Sequence, residues 1–167
     1  SAIGLIALLC IVVLALILFA TWAAGRLLGG MGRSAIDVYA AAVNWGPDEQ
    51  ADRELQRYLD EGFTKIKIKL ANPVPEACKR VERMRQRAGD QIGLCVDANW
   101  AYDLDDAIEI GRALADNGYF WFEEPLAPEN EQGYEELRKR CAVPLAAGES
   151  NYTLDQAMRL VFSRTLS

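Results

Sequence analysis

The sequence predicts an α/β fold built from repeated strand–helix units. Apolar runs alternate with amphipathic helical segments, glycine or proline separates them, and acidic residues end three of the runs at a constant interval. These acids are Asp97, Glu123 and Glu149, and successive members lie 26 residues apart. A strand, a helix and two loops occupy about this many residues, so we expect the three acids at the same end of neighbouring parallel strands.

Five strands and five helices are predicted in strict alternation. The predicted strands are residues 37–42, 63–70, 92–96, 119–122 and 143–147. The predicted helices are residues 49–61, 75–88, 104–115 and 131–140, and a fifth that begins near residue 153. Asp103 is the expected N-cap of the third helix, and Thr153 with Gln156 predicts a capping box for the fifth.

The second strand carries three lysines on one face and apolar residues on the other. The lysines are Lys65, Lys67 and Lys69. In isolation this pattern is typical of an edge strand with a solvated face. In a parallel sheet both faces are usually covered, so lysines that point inward need a functional reason. Because Lys69 is nearest the carboxyl end of its strand, we expect it at the same rim as the acids.

Composition fits one domain and excludes some function classes. The chain has 167 residues and a formal net charge of −6, so no basic surface indicates nucleic-acid binding. There is no histidine, which removes that residue as base or metal ligand in this chain. The cysteines form no CxxC pair and are interpreted as reduced thiols of a cytosolic enzyme. They are Cys10, Cys78, Cys95 and Cys141.

The amino-terminal segment differs from the rest of the chain. Residues 2–24 contain no charged side chain. Their length and apolarity meet the criterion for a transmembrane helix, and Arg26 and Arg33 would then place the following part in the cytoplasm. The segment also fits a very apolar buried helix, or sequence that is not native to the protein, such as a misread or fused reading frame. Because the chain starts with Ser1 instead of Met, we expect a fragment.

Three carboxylates at one rim would repel one another without a cation, and oxygen ligands suit Mg²⁺. The alternative is three unrelated acids that are solvated or cap the following helices; their equal spacing favours the metal site. A lysine beside such a site is a candidate general base. This combination predicts removal of the proton α to a substrate carboxylate, with the metal stabilising an enediolate.

Four ordered motifs resemble those of the mandelate racemase and muconate lactonizing enzyme family of the enolase superfamily. They are Gly62-Phe63 with Lys67-Ile68-Lys69, then Val96-Asp97-Ala98-Asn99, Trp121-Phe122-Glu123-Glu124-Pro125 and Pro144-Leu145-Ala146-Ala147-Gly148-Glu149. Residues 27–30 resemble the family's junction between cap domain and barrel. The resemblance implies a partial (β/α)8 TIM-type barrel of about five βα units. The charge-free run predicts that an apolar helix precedes it, where the family usually has a charged amphipathic helix. We therefore divide the chain into segment 1–25 and barrel part 26–167.

The resemblance also implies a role for each candidate residue. The Mg²⁺ ligands would be Asp97, Glu123 and Glu149. Lys69 would be the base on one face of the α-carbon, with Lys67 tuning it or touching the substrate carboxylate. Asn99 and Glu124 would contact substrate or support the ligands.

The family implies a complete enzyme of wider extent than this chain. That enzyme would be a homo-oligomeric racemase, epimerase or acid-sugar dehydratase that acts on a small hydroxy acid or sugar acid, with its barrel in the cytoplasm. Two other interpretations stay open at this stage. One is a membrane-anchored, non-catalytic protein that kept the barrel motifs as a scaffold, and the other is a truncated, nonfunctional product.

Overall fold

A computed structural model describes residues 35–162 without interruption, together with the isolated residues Ala20 and Arg26. The chain divides into two compact units, Ser1–Asp37 and Val38–Ser167, and the fold described below belongs to the second. The apolar segment predicted over residues 2–24 lies outside the described residues, apart from Ala20. Within the described part, none of the helices combines the length and the apolarity needed to cross a membrane.

The described part alternates strands and helices in the predicted order. Strands β1 to β5 are Ala40–Val43, Lys65–Lys69, Gly93–Asp97, Phe122–Glu123 and Leu145–Ala146. Helices α1 to α5 are Asp48–Asp60, Val74–Ala88, Leu104–Asp116, Glu131–Arg140 and Leu154–Phe162. The strands form one five-stranded sheet in the order β1-β2-β3-β4-β5, and every neighbouring pair is parallel. Each strand therefore lies beside the next one in sequence, as in the wall of a (β/α)8 barrel.

The main apolar core lies on the sheet face opposite the lysines. Ile66 and Ile68 of β2 are completely buried on that face. The helices meet it with apolar stripes at helical spacing, of which Leu55 of α1 and Met84 of α2 are almost fully buried members. β2 pairs with β1 on one side and β3 on the other, so it is an interior strand, and the solvated edge strand that its lysines alone would favour is wrong.

Both predicted helix caps are confirmed. The Asp103 side chain accepts a hydrogen bond from the backbone N–H of Asp106 at 3.0 Å, which caps α3. At the start of α5 the Gln156 N–H donates to Thr153 Oγ1 at 3.2 Å, and the Thr153 N–H donates to Gln156 Oε1 at 3.1 Å. This reciprocal pair is a capping box.

All five strands differ in extent from the sequence prediction, although β2 and β3 differ by only one or two residues at each end. β1 begins three residues later than expected, β5 is shorter at both ends, and β4 occupies Phe122–Glu123 instead of residues 119–122. The aromatic stretch before β4 still bonds to β3, because the Phe120 N–H donates to the Leu94 carbonyl at 2.9 Å. Tyr119 is buried there, and its hydroxyl donates to the Val81 carbonyl of α2 at 3.0 Å. The apolar run in the sequence therefore includes buried residues that precede β4 as well as the strand itself.

Strand register brings most candidate site residues to one level of the sheet. Lys69 pairs with Asp97, and Asp97 pairs with Glu123, each at the carboxyl end of its strand. Glu123 pairs with Ala146 of β5, so Glu149 lies three residues beyond that level, in the loop before α5. A rim of parallel carboxyl ends therefore carries the site, as the 26-residue interval predicted.

Candidate metal centre

The three predicted carboxylates converge. One oxygen each from Asp97, Glu123 and Glu149 lies within 4.8 Å of the other two. Asp97 is completely buried, Glu123 is largely buried, and Glu149 is exposed. The predicted convergence is therefore found, while the metal-binding role of the three residues stays a prediction.

Lys67 holds two of the carboxylates from below. Its Nζ lies 2.9 Å from Glu123 Oε1 and 3.3 Å from Asp97 Oδ2, and the residue is 8% exposed. Burial by itself would lower the pKa of Lys67, but the hydrogen bond and charge of Glu123, together with the charge of Asp97, outweigh burial and raise the pKa well above its ordinary value. Lys67 is therefore held as an ammonium group.

Lys69 lies closer to the rim. Its Nζ is 2.6 Å from Asp97 Oδ2 and 2.6 Å from Asn99 Oδ1, and its side chain is 30% exposed. Lys65, on the same strand, pairs with Gly93 at the opposite end of β3, which is two residue pairs or roughly 13 Å lower. The structure thus brings Lys67 and Lys69 to the carboxylates and places Lys65 away from them.

Asn99 links the base candidate to the exposed carboxylate. Its side-chain Nδ2 donates to Glu149 Oε1 at 3.0 Å, while its Oδ1 accepts from Lys69. Its backbone N–H donates to Asp97 Oδ1 at 3.1 Å. A single residue in the β3–α3 loop therefore touches three members of the site.

Glu124 lies outside the three-carboxylate group although it directly follows Glu123. It is completely buried, and one of its oxygens, Oε2, accepts from the indole Nε1–H of Trp100 at 2.7 Å. The other, Oε1, accepts from the backbone N–H groups of Gly148 at 2.8 Å and Glu149 at 3.2 Å. Its contacts are those of a residue that supports the site instead of a ligand.

Sequence reasoning missed two tryptophans that hold site carboxylates. Besides Trp100, Trp121 donates its indole Nε1–H to Glu123 Oε2 at 3.1 Å. The Trp121 ring meets the edge of Tyr39 at 5.3 Å between centroids, and Lys67 Nζ lies 5.4 Å from the Tyr39 centroid. The available signal was a tryptophan in or beside two of the three acidic motifs, because an indole N–H seeks a hydrogen-bond acceptor.

The family model described as enolase C-terminal domain-like matches residues 50–166. The chain belongs to this family. The resemblance inferred from the four motifs is thereby confirmed, and the family places the parallel βα units in the setting of an enolase-superfamily barrel.

Similar proteins from this superfamily are enzymes. D-galactarolactone cycloisomerase of Agrobacterium fabrum is 33% identical over 133 residues, which cover 74% of this chain and 34% of the relative. The crystal structure of a 3,6-anhydro-D-galactonate cycloisomerase from Zobellia galactanivorans gives a TM-score of 0.79 at 30% identity, covering 85% of this chain and 40% of that one. A racemase from Streptomyces coelicolor A3(2), solved with bound magnesium, gives 0.71 at 31% identity, covering 78% and 40%.

Further matched relatives are named dehydratases, racemases and epimerases. The chain spans about a third of the length of the curated relatives it matches.

The donor set of this enolase-superfamily site fits a hard divalent cation. All three groups offer carboxylate oxygens, which Mg²⁺ prefers, and three ligands leave positions for water or substrate. Three carboxylates facing two ammonium groups leave one formal negative charge. Binding of a divalent cation and one anionic substrate carboxylate would bring the formal charge of the site to zero.

Proposed function

We propose that the chain is part of an enolase-superfamily enzyme that removes the proton α to the carboxylate of a small hydroxy acid or sugar acid. Lys69 is the base. The observation that carries the proposal is the position of its amine, 2.6 Å from Asp97 Oδ2 on a side chain that is 30% exposed. A general base must lie close to the metal that would orient the substrate, and Lys69 contacts Asp97, one of the proposed metal ligands.

In this proposal Asp97, Glu123 and Glu149 hold Mg²⁺ through one oxygen each. When bound, Mg²⁺ supplies positive charge where negative charge develops on the deprotonated substrate. The oxygen-only donor set supports this assignment, as does the magnesium in the structurally similar racemase.

The remaining polar residues orient the reacting groups. Lys67 stays an ammonium group, fixes Asp97 and Glu123, and adds positive charge for the substrate carboxylate. Asn99 accepts from Lys69, which aims the amine along the rim. Racemisation, epimerisation and dehydration all begin with this proton transfer.

Exchange of the α-hydrogen tests the role of Lys69. In the complete enzyme, Lys69→Ala should slow deuterium incorporation from D₂O into a sugar-acid substrate by about 10²–10⁴-fold, because general-base catalysis contributes that much. Lys65→Ala is the matched control, since it removes the same side chain from the same strand face far below the cluster. Exchange is followed by NMR, with Mg²⁺ binding measured in parallel. A Lys69→Ala variant that binds Mg²⁺ and exchanges at the parent rate would exclude the lysine-base mechanism.

A further inference from the structure

We propose that Glu124 is a positioning residue that fixes Glu149 in the metal centre, and that Trp100 holds Glu124 for this task. The inference rests on the proposed function, because it assigns Glu149 to the metal. It adds a residue that touches neither metal nor substrate but determines where a ligand stands. Glu124 acts through backbone amides, so its removal changes the site without removing any ligand atom.

Glu149 is the member of the centre that most needs such support. Asp97 and Glu123 end paired strands, and ammonium groups contact both. Glu149 instead lies in the loop after β5 and is exposed. Its backbone N–H donates to Glu124 Oε1, as does the N–H of Gly148 before it. The buried Glu124 carboxylate is thus the group that fixes the backbone of this ligand.

The backbone conformation of Glu124 and Trp100 is a second, independent indication that they belong to the site. The non-glycine residues with positive φ in the described part of the chain are Asn99 at 44°, Trp100 at 64° and Glu124 at 46°. Such conformations cost free energy for residues with a Cβ and persist where the surroundings over-determine them, commonly at functional sites. The Trp100 N–H also donates to the Glu124 carbonyl at 2.8 Å, and Asn99, which precedes Trp100, donates its side-chain N–H to Glu149, so the three residues lie in one hydrogen-bonded unit with that ligand.

The hydrogen-bond chemistry requires a carboxylate at position 124. Its two oxygens face three N–H donors, from Trp100, Gly148 and Glu149. A glutamine would have one oxygen for one side and would turn its NH₂ group toward donors on the other side. Glu124→Gln therefore keeps the side-chain shape but breaks either the bond to the β3–α3 loop or the bonds that hold Glu149.

The test measures Mn²⁺ binding to the 167-residue chain by electron paramagnetic resonance. Glu124→Gln should weaken binding by about 10–100-fold, as expected for loss of a residue that orients a ligand. Glu129→Gln is the matched control, since it makes the same change at an exposed carboxylate five residues further on and should bind as the parent does. Glu149→Gln serves as the reference for direct loss of a ligand.

Urea unfolding with EDTA and with Mn²⁺ separates positioning from a merely structural role. A positioning role predicts that the increase in the free energy of unfolding on adding Mn²⁺ shrinks in Glu124→Gln. If only the metal-free stability falls and the increase equals that of the parent, the proposal is overturned.

Trp100→Phe removes the indole N–H that donates to Glu124 and keeps an aromatic ring at a half-exposed position. This variant tests the positioning role if Glu124→Gln does not fold. Binding several-fold weaker than the parent supports the proposal, and parental binding overturns it. If Glu149→Gln itself binds Mn²⁺ like the parent, the metal centre of the proposed function fails. If Glu149→Gln loses binding while folded Glu124→Gln keeps it, only the positioning role fails.

Discussion

Substituting Lys67 by Met removes one ammonium group from the carboxylate cluster. The side chain is nearly buried and contacts Glu123 and Asp97 at 2.9 and 3.3 Å. Methionine keeps most of the apolar stem, so the substitution chiefly removes charge. We expect Lys67→Met to destabilise the metal-free chain, because both carboxylates then lose a charged partner.

The size of this loss of stability depends on which partners Asp97 and Glu123 retain in Lys67→Met. Removing one partner of a buried ion pair costs about 3–5 kcal/mol. Here Asp97 keeps Lys69 at 2.6 Å, and Glu123 keeps the indole N–H of Trp121 at 3.1 Å. We therefore expect the lower end, about 3 kcal/mol of the free energy of unfolding at pH 7, which is more than a hundredfold in the folding equilibrium constant.

The pH dependence of this difference has a definite sign. The pKa of Lys67 is raised in the folded chain above its ordinary value of 10.5. Its contribution to stability is therefore fully present below pH 10.5 and is lost as the pH rises through the folded value. The difference between parent and Lys67→Met should stay constant from about pH 7 to pH 10 and shrink at higher pH.

Urea unfolding in EDTA, followed by circular dichroism, measures this difference. Lys79→Met is the control, because Lys79 is exposed on α2 and its substitution should change stability by less than about 0.5 kcal/mol. Added Mg²⁺ should stabilise Lys67→Met more than the parent, since the cation replaces the missing positive charge without competing with that ammonium group. A loss no larger than that of Lys79→Met would refute the reasoning.

Three further predictions concern stability and thiol reactivity. Asp52→Asn should destabilise the chain more at pH 7 than at pH 3 in urea unfolding. The hydrogen bond from Arg83 lowers the pKa of Asp52 below its ordinary 3.8, so its contribution is present above that pH and lost as the pH falls through the folded value. Asp103→Ala should cost about 1 kcal/mol in thermal unfolding, because the N-cap of α3 is lost. Iodoacetamide should modify Cys78 before Cys95, since burial, assisted by the charge of Glu123, raises the pKa of Cys95 to about 12.

Matched controls make these three results interpretable. Asp60→Asn makes the same change as Asp52→Asn on α1, at a carboxylate whose hydrogen-bond donor is Gln56 and not an arginine. Asp105→Ala removes an acid from the first turn of α3 without removing the cap. Alkylation is read by peptide mass spectrometry, and the same reaction in urea should remove the difference between the two thiols. Equal rates in the folded chain would contradict the burial of Cys95.

The sequence was sufficient for the order of elements and for three of the site's carboxylates. A regular interval between Asp97, Glu123 and Glu149 predicted their level in a parallel sheet, because the length of a βα unit converts sequence distance into neighbouring strands. The lengths of the strands could not be predicted as well from the sequence. Tyr119 is buried beneath α2 but lies before the regular part of β4, so apolarity alone could not give the strand boundary.

The support around the carboxylates could not be predicted locally. Trp100 and Glu124 lie 24 residues apart, and the Gly148 amide lies another 24 residues on. Their meeting depends on loop conformations with positive φ, which are unusual for tryptophan and glutamate. Backbone propensities therefore disfavour the conformations observed at Trp100 and Glu124. Tertiary contacts stabilise these conformations.

The lysines also explain how so acidic a rim is tolerated in the folded chain. A buried carboxylate is tolerated when positive groups and hydrogen-bond donors surround it, and Asp97 has Lys67, Lys69 and the Asn99 N–H. The same ammonium groups lie where a divalent cation would add further positive charge. In the proposed metal centre, Mg²⁺ would therefore bind against repulsion from these ammonium groups. The remaining negative charge of the carboxylates, and the position of Glu149 that Glu124 fixes through the backbone, would favour its binding.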